Sequence, residues 1–154
     1  MYKLLSKIWG LFKSNYKWHI LWLFHDKFMI GVSGVIFNNE GKILLLKHRF
    51  WKKDSWGLPS GYTKKREKFE DGIKREVEEE TKLKITVGKL INLNSGFKLR
   101  VECTYLGHCD NTSTLEVNND EVLEAKFFAT NELPQGLLDT HARLIELAVT
   151  QKEA

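Results

Sequence analysis

Four glutamates, Glu76, Glu78, Glu79 and Glu80, fall within five consecutive positions. On a helix, Glu79 and Glu80 lie three and four residues beyond Glu76, so these three share a face. Like charges at that spacing cost an exposed helix roughly 0.2–0.5 kcal/mol per pair, and burial raises the cost. Lys74, Arg75 and Lys82 give partial relief, and Glu78 precedes Lys82 in the favourable i, i+4 order. The plain use of such a run is a solvated acidic face. Its chemical use is to hold a hard divalent cation: magnesium takes a few carboxylates together with waters and substrate phosphates. The preceding loop, Gly57-Leu58-Pro59-Ser60-Gly61, can bring backbone carbonyls near the carboxylates. Around it stand Lys52, Lys53, Lys64, Lys65, Arg66 and Lys68, which suit a phosphate-bearing ligand. Glutamates would repel such an anion unless a cation intervened. Acid and base side by side therefore point to a metal with a polyphosphate.

The spacing of these residues resembles a known motif. Gly61-x5-Glu67-x7-Arg75-Glu76-Val77-x-Glu79-Glu80-x-Lys82-Leu83 looks like the Nudix box, Gly-x5-Glu-x7-Arg-Glu-(apolar)-x-Glu-Glu-x-Gly-(apolar). Every fixed position matches except the last glycine, which is Lys82. Trp56-Gly57-Leu58-Pro59 fits the family's approach to the box, as do an early hairpin and the late Glu121-x5-Phe127 segment followed by Asn131-Glu132-Leu133-Pro134. The resemblance runs from about residue 30 to the C-terminus. It implies a Nudix-type α/β/α sandwich around a mixed sheet. It also implies Mg²⁺-dependent hydrolysis, with Mn²⁺ as the alternative ion, of a nucleoside diphosphate linked to another moiety, such as a nucleoside triphosphate, a nucleotide sugar or ADP-ribose. On that resemblance Glu76, Glu79 and Glu80 hold metal, with the Ser60 carbonyl as a further ligand. Gly61, Glu67 and Arg75 are structural, the last two as an ion pair orienting loop against helix. Glu121 matches a glutamate that in some members binds metal or positions water; as an ordinary loop carboxylate it is read with equal weight. The carboxylate that takes a proton from the attacking water is Glu79, Glu80 or Glu121, and the sequence leaves the three open. Arg49, Lys52, Lys53, Lys64 and Arg66 are the candidate phosphate contacts.

Three residues depart from the family pattern. Lys82 stands where glycine accepts a left-handed conformation, at a cost of roughly 1 kcal/mol or a different helix end. Gly72 sits mid-helix, costing roughly 0.5–1 kcal/mol relative to alanine unless close packing needs it. Ser60 stands where a second glycine is common, which alters the expected carbonyl geometry. These departures keep a second reading open, a catalytically weak or inactive Nudix-like nucleotide sensor. For a nucleobase, Phe50, Trp51, Tyr62 and Phe97 are stacking candidates, while Trp56 is assigned to packing.

The elements that must position this chemistry fit one domain. The chain has 154 residues, 42% hydrophobic and 29% charged, which excludes a collagenous, low-complexity or disulfide-scaffold protein. Strands are expected over residues 30–37 and 42–48, joined by the Asn38-Asn39-Glu40-Gly41 turn, then over 85–93, 98–107 and 124–129. Residues 49–61 read as a loop. Helices are expected over Phe69–Thr81, with Phe69, Ile73 and Val77 four apart, and over 137–150. Cys103 and Cys109 lie six apart on one strand, roughly 20 Å along its length, too far for a disulfide. Two reduced thiols suit a cytoplasmic protein.

The formal charge of +4 sits in residues 1–27, where Lys3, Lys7, Lys13, Lys17 and Lys27 oppose Asp26 alone; the remainder carries 19 charges of each sign. The basic balance is therefore no argument for nucleic-acid binding. In residues 1–27, Leu4, Leu5, Ile8, Leu11, Phe12 and Tyr16 share one helical face, and Lys3, Lys7, Gly10, Ser14 and Lys17 the other. Trp9, Trp18 and Trp22 add aromatic bulk. The longest charge-free apolar stretch, Trp18–Phe24, is too short to span a bilayer. Residues 1–27 thus read as a basic, aromatic, amphipathic helix preceding a domain at 28–154. Packing on its own domain or on a second copy in a homodimer is the favoured use; contact of residues 1–26 with an anionic membrane surface is the other.

Overall fold

The computed structural model describes residues 14–95, 98–117 and 120–153. Its centre is β1 (Met29–Asn38), which turns into β2 (Ile43–His48) and pairs with it antiparallel where Phe37 meets Ile43. Asn38 closes the turn, its Oδ1 accepting from the amides of Glu40 and Lys42, and Gly41 supplies a φ of 74°. On its other edge β1 runs parallel to β5 (Arg100–Cys109) along its full length, from Met29 opposite Arg100 to Asn38 opposite Cys109. β4 (Thr86–Ser95) pairs antiparallel with β5, and β6 (Val122–Phe128) with β2. The order is β4-β5-β1-β2-β6, a mixed sheet as expected.

Both faces of this sheet are covered, which explains why its central strands read as nearly continuous apolar runs. Strand alternation sends Val32, Ile36, Leu44 and Leu46 to one face, where Ile73 and Val77 of α2 (Phe69–Thr81) pack with Leu83. Val35, Phe37, Ile43 and Leu45 go to the other, against Trp56, Leu58 and the Ile145 and Ala148 of α3 (Asp139–Glu153). The result is the α/β/α sandwich. Cys103 and Cys109 are both buried on β5 with free thiols. Trp56 packs edge-on against Phe128, in keeping with its assignment to packing.

Three expectations are corrected. The loop expected over residues 49–61 ends early, because Ser60–Tyr62 forms β3, antiparallel to Gly31–Ser33. β2 pairs with β1 only near the turn, so the start of β1 has an edge whose amides and carbonyls still need partners. α3 starts at Asp139 rather than Leu137, since the Leu138 amide donates to the Trp56 carbonyl instead of entering the helix. The third concerns the N-terminal segment. Residues 1–13 lie outside the described residues, and Ser14–Phe24 is helical (α1). Yet Tyr16, Trp18, Trp22, Leu23 and Phe24 are all exposed, so this part of the helix is not packed on its own domain.

Candidate active site

The box begins where β3 meets α2. Gly61 has no room for a side chain: a Cβ there would stand 2.1 Å from the Glu76 carboxyl carbon. The absent side chain lets Glu76 lie against the β3 backbone, which couples loop to helix. Arg75 then clamps the loop. Its Nε and Nη2 donate to the two oxygens of Glu67 at 2.7 and 3.0 Å, and Nη2 also donates to the Tyr62 carbonyl at 3.0 Å. Glu67 in turn accepts from the Lys64 amide at 2.7 Å. Arg75 and that amide hold the Glu67 carboxyl down at about 2. The orienting ion pair expected from the box is therefore formed.

From the far side of the same guanidinium, Nη1 donates to Glu76 at 2.7 Å and Glu79 at 3.1 Å. Lys64 Nζ reaches the other Glu79 oxygen at 3.2 Å. Burial works against charge on Glu79, but Lys64 and Arg75 outweigh it and keep its carboxyl below the ordinary range. Glu80 has no such partner. It is 7% exposed, and its Oε2 is buried without a hydrogen bond. Burial first, then repulsion from Glu76, Glu121 and Glu79, pushes its carboxyl up to about 8.

Glu76, Glu79 and Glu80 line a cavity of about 230 Å³, closed on its other side by Asp120, Glu121 and Val122. So the fold brings Glu121, far away in the chain, to the three box carboxylates. As the side chains stand, no three His, Cys, Asp or Glu among the described residues converge on one point as metal ligands. The physical reason is local: Arg75 and Lys64 hold Glu76 and Glu79, and carboxylates with no cation between them repel. The donor set nevertheless fits a divalent cation. It is all oxygen, it surrounds a polar cavity, and one member is a buried carboxylate oxygen with nothing to bind.

His48, at the end of β2, escaped the sequence reading. Its Nε2 lies 3.5 Å from Glu121 and 4.0 Å from Glu80. Its Nδ1 accepts from the Phe50 amide, which places the ring proton on Nε2, facing the carboxylates. Trp51 stacks on the ring at 5.3 Å. Asp120 was missed as well; its carbonyl accepts from Arg49 Nε at 3.1 Å, and the Arg49 amide donates to the Glu121 carbonyl at 2.7 Å. The only signal for either lay in their neighbours, Arg49 and Glu121. Of the expected phosphate contacts, Arg49 and Lys64 adjoin the carboxylates, while Lys52, Lys53 and Arg66 stand exposed on their loops. Ser60 lies in β3, opposite Ser33.

A larger cavity of about 560 Å³ opens beside Ser60, between the sheet and α3. Its wall is mixed: Ser33, Thr104, Asn92, Asn94, Arg100 and Glu102 from the sheet, Thr140, His141, Arg143 and Leu144 from the helix. His141 also holds the loop before the box, its Nδ1 accepting from the Leu58 amide at 2.9 Å. Burial depresses the His141 ring to about 4, so it is neutral at ordinary pH. Of the expected stacking residues, Phe50 and Tyr62 are exposed, Tyr62 carrying the Arg100 guanidinium over its ring, and Trp51 lies between His48 and His141. Phe97 lies outside the described residues.

The family model described as NUDIX domain matches residues 27–148 of this chain. No curated protein matches it. Among solved structures, a MutT NUDIX hydrolase from Burkholderia pseudomallei is 25% identical, with a TM-score of 0.67 over 79% of this chain and 98% of that one. A UDP-X diphosphatase is 24% identical and covers 99% of this chain and 79% of its own, with a TM-score of 0.70. An ADP-ribose pyrophosphatase from Streptococcus suis is 21% identical, with a TM-score of 0.68 over 82% and 92% of the two chains.

Proposed function

Because this chain belongs to the NUDIX domain family, we propose that it hydrolyses the pyrophosphate bond of a nucleoside diphosphate linked to another moiety, with Mg²⁺ or Mn²⁺ held by Glu76, Glu79 and Glu80. The observation that carries this is the carboxylate-lined cavity, and within it the buried, unpartnered Glu80 oxygen. An ionised carboxylate there is costly in the free protein, and a bound cation would relieve that cost. When bound, a divalent ion there neutralises phosphate oxygens and lowers the pKa of a coordinated water.

The chain's own residues supply the rest. Arg75 fixes the spacing of Glu76 and Glu79 and ties both to the β3 loop. Glu79, Glu80 and Glu121 all face the cavity and remain the candidates to take a proton from the attacking water. His48 Nε2–H, 3.5 Å from Glu121, orients that carboxylate. Arg49 and Lys64 flank the cavity and stabilise charge developing on phosphate. The 560 Å³ cavity past Ser60 has the size of a small-ligand site. Its amides, hydroxyls and charged side chains suit the nucleoside or the linked moiety.

Incubation with Mg²⁺ and a panel of nucleoside triphosphates, nucleotide sugars, ADP-ribose and dinucleoside polyphosphates tests the proposal. Turnover of at least one is expected, and Glu79→Gln or Glu80→Gln should reduce it by orders of magnitude while leaving the circular dichroism spectrum unchanged. Folded wild-type protein that turns over none of them, or both variants working like wild type, would overturn it. One observation favours a second reading, a nucleotide-binding sensor: Glu76 and Glu79 are already engaged by Arg75 and Lys64. Calorimetry showing nucleotide binding without product would select it.

A further inference from the structure

The proposed hydrolysis makes no use of α1, which has an unusual surface. Around its axis Ile20, Phe24, Leu21, Trp18, Trp22 and Leu23 follow one another at helical spacing, with His19 as the one polar residue of Trp18–Phe24. So this stretch is apolar on every side rather than along one stripe. Most of it is strongly exposed, with Trp18 69%, Trp22 60%, Leu23 66% and Phe24 81%, while Leu21 is 39% exposed and Ile20 half-buried. A groove on a protein covers one stripe of a helix and leaves the opposite face wet. A helix apolar all round calls for a medium that surrounds it.

The charges name that medium. Lys17 stands at the start of the stretch and Lys27 just beyond its end. Lys27 Nζ donates to the Leu23 carbonyl at 3.3 Å and sits 4.6 Å from the centre of the Trp22 ring. An ammonium beside an indole at a helix end is the arrangement that places both in the headgroup layer. Residues 1–27 hold the whole net charge of +4. The apolar surface continues beyond α1 to Phe28 and Met29, both about half exposed, which share a shallow cavity of about 360 Å³ with Tyr62, Lys64 and Lys65. Apolar and basic groups thus alternate from α1 onto the edge of the domain. At 11 residues α1 is about 16 Å long, near half the hydrocarbon thickness of a bilayer. No helix among the described residues is long and apolar enough to cross a membrane.

We infer that α1, with Lys17 and Lys27, docks the protein on an anionic lipid bilayer, the apolar stretch Trp18–Phe24 dipping into one leaflet and these two lysines remaining among the headgroups. The inference is independent of the proposed hydrolysis. Its test is sedimentation of the full chain with vesicles of phosphatidylcholine alone and of phosphatidylcholine with phosphatidylglycerol in equal parts. The protein should pellet with the anionic vesicles, shift its tryptophan emission to shorter wavelength, and be released by high salt. A Trp18→Ser, Trp22→Ser, Phe24→Ser variant, altered only at exposed positions, should keep the wild-type far-ultraviolet spectrum and lose binding by about tenfold or more. Wild-type protein that stays in the supernatant overturns the inference, as does a variant that pellets equally. So does light scattering that shows a dimer dissociated by the same three substitutions in protein that ignores vesicles, because the occupant would then be a second copy.

Discussion

Glu80→Gln should make the metal-free protein more stable at alkaline pH while removing its activity. The folded carboxyl is pushed from an ordinary 4.5 up to about 8, by burial and by the Glu76, Glu121 and Glu79 carboxylates. Below pH 4.5 it is protonated in both states and contributes no pH dependence. Between 4.5 and 8 the unfolded chain ionises and the folded protein does not, so stability falls as pH rises, by at most about 1.4 kcal/mol per pH unit. Above 8 both states are ionised and the loss is constant, with a ceiling of about 5 kcal/mol from the same relation. Glutamine cannot ionise, so this slope disappears in the variant. Its amide inherits the unpartnered position of Oε2, which shifts the variant's stability by a constant and leaves the slope untouched. His141 acts in the opposite sense between pH 6.5 and 4, so the difference between the two proteins isolates Glu80 where neither raw profile does. Urea denaturation from pH 5 to 9 in EDTA provides the measurement. The difference should grow towards pH 8 and then level off. Saturating Mg²⁺ should restore the wild type at alkaline pH and stabilise the variant much less. Parallel profiles in EDTA would refute the reasoning, since Glu80 would then not be the carboxylate with raised proton affinity.

Other consequences of the geometry can be checked separately. Lys82 ends α2 in the left-handed region, with φ 59°, so Lys82→Gly should stabilise the protein by about 1 kcal/mol in thermal unfolding; a loss would show that the lysine has a compensating role. At Gly72 a Cβ would meet Glu67, Thr63 and Val32 at 3.4–3.5 Å, ordinary contact. Gly72→Ala should therefore add about 0.5–1 kcal/mol, and a destabilised variant would mean that close packing requires the glycine. Gly61→Ala, with its Cβ 2.1 Å from the Glu76 carboxyl carbon, should displace that carboxylate and abolish stabilisation by Mg²⁺; unchanged Mg²⁺ stabilisation would remove Glu76 from the ligand set. Neutral, buried His141, depressed to about 4, favours folding above pH 6.5. That contribution should be lost as the pH falls towards 4, by about 3 kcal/mol, and His141→Asn should flatten this acid limb in a denaturation series.

The parts legible in the sequence are those where one local demand selects one residue type. The four-residue spacing of Ile73 and Val77 marks the buried face of α2, and the structure starts and ends that helix at Phe69 and Thr81 as expected. The box spacing places Glu67 within reach of Arg75 because eight residues of turn and helix return the loop onto the helix face. What escaped depends on distant pairing. β3 exists because the start of β1 lacks a partner, which no property of Ser-Gly-Tyr announces. His48 and Asp120 face the carboxylates only because β2 and β6 are neighbours in the sheet, where His48 stands opposite Val122. The 560 Å³ cavity is assembled from β1, β3, β4, β5 and α3 at once.

The same distinction explains how the fold tolerates its own site. Arg75 engages Glu67, Glu76 and Glu79 with one guanidinium, so three of the four glutamates of the box have a cationic partner without a metal. Glu80 stands apart from these contacts, on the side of α2 turned towards β2 and β6, and among the described residues no lysine or arginine lies within salt-bridge distance of it; the basic side chain beside it is His48, its Nε2 4.0 Å away. Among the described residues, a charge-balanced domain therefore carries one buried acid, Glu80, with no lysine or arginine partner, where the helix and the β6 approach line a cavity. Replacing His48 with lysine would supply the missing cation. If the imbalance is what recruits a divalent ion, His48→Lys should stabilise the metal-free protein and weaken Mg²⁺ binding in calorimetry together. Stabilisation with unaltered Mg²⁺ affinity would separate the two and leave Glu80 outside the metal site.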